Sequence, residues 1–154
     1  MIINNSVRTY APIVPSYFDG CLFMNATYEM PEEMANLFTK GLEALSKHLY
    51  EKNINPAKLF PVSLIFTKDG SFSVTENETT TYGRCMSFLV YSMERLIASN
   101  NQHMQLFAFI EELVHYYFQE TNEIKVKLTT FSVVQKIFPE ITFEEVTSWR
   151  VNWN

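Results

Sequence analysis

The chain has 154 residues, 47% hydrophobic and 15% aromatic, with a formal net charge of −5. That length suits a single domain, 1–154, with ample material for a core. Scattered Lys and Arg exclude a nucleic-acid groove, which needs clustered basic charge, and no apolar run reaches the ~18 residues of a membrane span.

The first residues, M-I-I-N-N-S-V-R, lack the charged start and apolar stretch of a signal peptide, so a cytoplasmic protein is expected. Cys21 and Cys85 have no metal-site spacing and are expected as free core thiols. Pro12, Pro15 and Gly20 break any helix near the start. Residues 21–24 form a short apolar run that suits a strand, and Phe18, Phe23 and Tyr28 are expected to cover the core.

Pro31 with Glu32 and Glu33 marks a helix start, since Pro fits the first turn and acids favour the positive end of the helix dipole. Met34, Leu37, Phe38, Leu42, Leu45 and Leu49 recur at three- and four-residue spacing, so an amphipathic helix should end near Asn53. His48 falls beside that stripe and reads as an ordinary, partly exposed histidine. Residues 62–66 look like a strand. Asp69-Gly70 then separates it from Phe72 and Val74, which alternate with polar residues, and this pattern predicts an antiparallel hairpin. A third strand is expected over 86–91, with a helix running through Met93 and Leu96 as its competitor.

Residues 104–119 read M-Q-L-F-A-F-I-E-E-L-V-H-Y-Y-F-Q, apolar or aromatic on nearly every side. A helix that is hydrophobic all round belongs inside a domain. Setting the tyrosines aside, its ionisable residues are Glu111, Glu112 and His115. Glu111 and His115 stand at i and i+4, and Glu112 and His115 at i and i+3, so the three groups converge on one side. Carboxylates in such a setting need a partner or a metal. A further, well-buried helix is expected with Ile124, Leu128, Phe131, Val134 and Phe138 on one face, widened by Val126, Val133 and Ile137, and ending at Pro139. Thr142 and Glu145 form a capping box for a short last helix.

The run E-E-L-V-H at 111–115 resembles the helical H-E-x-x-H motif, which holds zinc between two histidines beside a general-base glutamate, with Glu in place of the first His. The surroundings are similar too: a helix and a small sheet precede the motif, and a helix opening at Glu123 follows. Over about 32–138 the chain resembles zincin-like proteins of the glutamate-ligand type, including ImmA/IrrE-like peptidases of mobile elements and minimal gluzincin domains. The resemblance implies an α+β, zincin-like fold: an N-terminal helix, a small antiparallel sheet of about three strands, two buried helices and a short C-terminal helix. It further implies Glu111, His115 and Glu123 as metal ligands, with Glu120 as the fallback third ligand, and Glu112 as the base that takes a proton from the attacking water. Two carboxylates and one imidazole make a harder donor set than two imidazoles and one carboxylate, so iron or manganese suits it as well as zinc. The expected function is that of an intact or degenerate metallopeptidase acting on a protein or peptide partner. The peptide would lie along 86–91, with Tyr116 or Tyr117 donating to the developing oxyanion.

The alternative is a non-catalytic interaction module that keeps this fold without metal. In it the cleft is filled, Glu111 or Glu112 is paired to Arg84 or Lys127, and Trp149 and Trp153 offer the binding surface. His103 lies too far along the helix axis to join the cluster.

Overall fold

A computed structural model describes residues 3–73 and 85–149. In chain order its regular elements are strand β1 (Leu22–Ala26), helix α1 (Glu32–Glu51), strand β2 (Val62–Thr67), strand β3 (Phe88–Ser92) and helices α2 (Met93–Ser99), α3 (Gln102–Phe118), α4 (Glu123–Gln135) and α5 (Phe143–Ser148). Single 3-10 turns stand at Ser16–Phe18 and Pro56–Lys58.

The α1 boundaries follow from local chemistry. Pro31 takes the N-cap with extended backbone, and its carbonyl accepts the Ala35 amide. At the far end Asn53 turns left-handed (φ 58°), and the Asn53 and Ile54 amides close back on the Tyr50 and Leu49 carbonyls. That pairing satisfies carbonyls the helix would otherwise leave bare.

The sheet corrects the antiparallel expectation. Its order is β1-β2-β3, and both pairs are parallel, with Leu22 opposite Val62 and Leu64 opposite Leu89. β1, α1 and β2 form one strand–helix–strand crossover, which returns the chain in the same direction. The hairpin at Asp69-Gly70 does not form. Gly70 has φ +84°, but Thr67 Oγ1 accepts its amide and Asp69 Oδ1 accepts the Ser71 amide, so the chain curls out of the sheet. Residues 71–73 are not strand, and Val74 lies outside the described residues. β3 and α2 share the stretch where strand and helix competed: the strand runs to Ser92, whose side chain then caps α2.

One sheet face carries Met24, Leu64, Phe66, Leu89 and Tyr91 toward the helices. Phe38 of α1 stacks on Phe109 of α3 at 4.1 Å between ring centres, and Phe66 and Tyr91 extend the stack into the sheet. Tyr91 donates its hydroxyl to the Phe109 carbonyl at 2.9 Å. Helix α3 touches α1, α2, α4 and β3, which is why its sequence is apolar on nearly every side. Gly41 lets α1 approach: a Cβ there would stand 2.6 Å from Leu106 Cδ1.

Several side chains differ from expectation. Phe18 is fully buried, but Phe23 points off the other sheet face and is 49% exposed. Cys21 is buried and Cys85 exposed. His48 is buried against Phe118, and burial lowers its pKa, with Lys136 and Lys52 adding to the effect. On α4 the buried face is Val126, Thr130, Val133 and Val134, while Ile124 and Leu128 are exposed. Trp149 packs edge-on against Phe107 in the core rather than offering a surface, and Trp153 lies outside the described residues. No helix among the described residues is long and apolar enough to cross a membrane.

Candidate metal centre

Helix α3 ends in a turn that arranges the site. Gln119 adopts φ 50°, a left-handed conformation uncommon outside glycine, and the Glu120 amide closes back on the His115 carbonyl. The reversal sets Glu120's own carbonyl 2.9 Å from His115 Nδ1. A carbonyl can only accept, so Nδ1 carries the hydrogen, and in the neutral ring the lone pair sits on Nε2. A metal-ligating histidine is commonly held this way, by its second nitrogen on a backbone carbonyl. Asn122 then caps α4, accepting the Ile124 and Lys125 amides, and so places Glu123 in the first turn facing His115.

The structure brings together Glu111, His115 and Glu123. One ligand atom from each lies within 4.8 Å of the others, and His115 Nε2 is 3.6 Å from Glu123 Oε1. Burial falls steeply across the set. Glu111 is 2% exposed, His115 is partly buried, and the Glu123 side chain is 64% exposed. Glu111 Oε2 is buried without a hydrogen-bond partner among the described residues. Buried carboxylate oxygens normally have one, so this atom marks a place where a positive partner fits. The residues fit a divalent cation on both counts: the orphaned buried oxygen, and two carboxylates plus an imidazole lone pair from three converging side chains. The group could hold a metal ion.

Two carboxyl groups here have raised pKa values. For Glu111, burial dominates; Lys127 opposes it, and Glu112 and Glu123 add to it. Glu112 points to solvent from α3, but the surrounding protein still desolvates its carboxyl enough to raise it, with His115 pulling the other way. Its charge also reaches Tyr91 on β3, whose phenol is pushed up chiefly by its own burial. Perturbed carboxyls clustered around one histidine are a feature of functional sites, and of structural ion-pair networks as well.

Lys127 belongs to the same cluster. Its ammonium lies 3.3 Å from Glu111 Oε1 and 3.6 Å from Glu123 Oε2. The pairing named for the interaction-module alternative is therefore present, and Arg84 lies outside the described residues. The signal in the sequence was the i, i+4 spacing from Glu123 on α4.

Glu120 contributes its carbonyl and not its carboxylate, which accepts the Asn122 amide and faces Lys125 at 3.8 Å. Tyr116 donates its hydroxyl to the Pro61 carbonyl at 2.6 Å, so that donor is already engaged. Tyr117 stacks on Phe18, its hydroxyl buried and its pKa raised by burial. Neither tyrosine joins the cluster. His103, also outside it, sits between Glu145 (2.8 Å) and Glu140 (3.2 Å). Comparison with protein families, with curated proteins and with solved structures finds no match for this chain.

Proposed function

We propose that Glu111, His115 and Glu123 hold a divalent cation, and that with Glu112 beside them they form a zincin-like hydrolytic centre acting on a protein or peptide. Two observations on the same residues carry this: the three donors converge, and Glu111 Oε2 is buried with no hydrogen-bond partner among the described residues. A bound divalent cation supplies a Lewis acid that polarises a carbonyl oxygen and makes water a stronger acid. Glu111 and Glu123 would cancel much of its charge, so zinc, iron and manganese all suit the set, and the acid strengthening is weaker than at a two-histidine site.

The chain's own residues supply the rest. Glu120 fixes the His115 ring through Nδ1. Glu112, whose carboxyl is raised by burial, would take a proton from water and return it to a leaving amine. β3 is an edge of the sheet among the described residues. An extended peptide could add to that edge by strand pairing.

The test is hydrolysis of an unstructured peptide mixture by protein loaded with zinc, manganese or iron(II), followed by mass spectrometry. Cleavage that disappears in Glu112→Gln, with metal still bound, supports the proposal. A loaded protein that cleaves nothing removes the hydrolytic part.

One observation favours the second reading, a non-catalytic module. Lys127 already supplies positive charge to Glu111 and Glu123. On that reading saturating metal leaves the melting temperature unchanged and Lys127→Met lowers it.

A further inference from the structure

The cation site contains a cation from the chain itself. Lys127 projects from α4 one turn beyond Glu123, and its side chain is only 17% exposed. Its ammonium reaches one oxygen of each carboxylate that would bind metal, Glu111 Oε1 and Glu123 Oε2. Glu111 Oε2 stays bare on the other side of the same carboxylate. A point-like ammonium on a four-carbon stem can neutralise one carboxylate charge and bridge a second, and here it spans Glu111 Oε1 and Glu123 Oε2 and leaves Glu111 Oε2 unsatisfied. Among the described residues, two negative charges facing one positive charge leave a deficit that a divalent ion would fill. A divalent ion and an ammonium a few ångströms apart repel strongly where solvent screens them poorly.

We propose, resting on the metal reading above, that Lys127 is an intramolecular occupant of the site. Its ammonium and a divalent cation exclude one another, and loading metal swings Lys127 out toward solvent while Glu123, the most exposed ligand, closes in. The chain thereby keeps Glu111 paired when metal is scarce and sets a threshold below which the centre stays off.

Two measurements test this, each with zinc and with manganese alone. The first is metal affinity by equilibrium titration in the wild type, Lys127→Met and Lys127→Arg, with folding checked by circular dichroism. Lys127→Met should bind at least tenfold more tightly than wild type. Lys127→Arg should bind more weakly, because a guanidinium fork can hold a carboxylate through two bonds. The second uses only wild-type protein and so survives a variant that fails to fold. The rate of Lys127 acetylation by a water-soluble active ester is followed by peptide mass spectrometry, with exposed Lys68 as the internal control. Saturating metal should raise the Lys127 rate severalfold and leave Lys68 unchanged. If metal binds but Lys127→Met gains no affinity, or the wild-type Lys127 rate does not move at saturation, this inference is overturned and the metal site stands. If wild type and folded variants all bind no metal, the metal reading fails and takes the inference with it.

Discussion

Glu111 sets two large effects against each other, and their balance decides how the protein responds to pH. Its charge is attracted to Lys127 at 3.3 Å, worth about 5 kcal/mol at an effective dielectric constant near 20. Burying the carboxylate costs several kcal/mol, roughly the same amount. Glu111 is almost wholly buried with one oxygen bare, so burial wins and its pKa lies above 4.5. A carboxyl shifted that way binds more protons in the folded than in the unfolded state between the two pKa values. Its contribution to stability is present below the unfolded value and is lost as pH rises through the folded one. Glu111→Gln keeps the shape and removes the titration. Near pH 4.5 and below, wild type and variant should differ little. Above it, wild type should lose stability relative to the variant by up to about 1.4 kcal/mol per pH unit across the window. Urea unfolding at half-unit intervals from pH 4 to 8 measures this directly. A wild type that gains on the variant as pH rises would refute the reasoning, because the Lys127 pair would then outweigh burial.

Three further outcomes are expected. Gly41→Ala should destabilise the protein by about 1 kcal/mol or more, since overpacking a filled core costs ~1–3 kcal/mol and the new Cβ would meet Leu106 and Ile110 across the α1–α3 contact. A gain in melting temperature, the result helix propensity alone would give, would contradict that packing. His103→Ala should cost about 1–2 kcal/mol by removing the bridge to Glu140 and Glu145, and amide exchange should show α5 opening first; uniform loss of protection would argue against a local clamp. His48 has a pKa lowered from 6.5 chiefly by burial. Its contribution is complete above pH 6.5 and is lost as pH falls through the folded value. His48→Leu should therefore flatten the acid side of the stability profile, and an unchanged slope there would count against it.

Elements whose signal is local could be read from the sequence. The stripe from Met34 to Leu49 specified α1, and the absence of any polar side on 104–119 placed α3 at the centre. The nearness of Glu111 to His115 was also legible, because helical spacing fixes which side chains share a face, whereas Glu123 was named only through the zincin-like resemblance. The sheet was not. Asp69-Gly70 carries a strong turn signal, but the partner of β2 is chosen by the α1 crossover and by the pairing of Ser63 with Phe88, more than twenty residues away. Gly70 uses its positive φ in a loop and not in a hairpin. On α4 the expected face was drawn too wide: Val126, Val133 and Val134 turn inward as expected, but Ile124 and Leu128 do not, because apolar residues lie on both sides and only the position of α3 decides between them. Glu120's part was hidden because it acts through its backbone carbonyl, which no side-chain motif reports.

The central claim is that the cluster holds a metal, and metal content tests it most directly. Wild-type protein purified without chelator, and Glu111→Ala and His115→Ala shown to be folded by circular dichroism, would be measured by inductively coupled plasma mass spectrometry. Near-stoichiometric zinc, iron or manganese in the wild type, lost from both variants, is the predicted result. A metal-free wild type whose melting temperature does not respond to added zinc, manganese or iron(II) would contradict it and leave Glu111 and Lys127 as a structural ion pair.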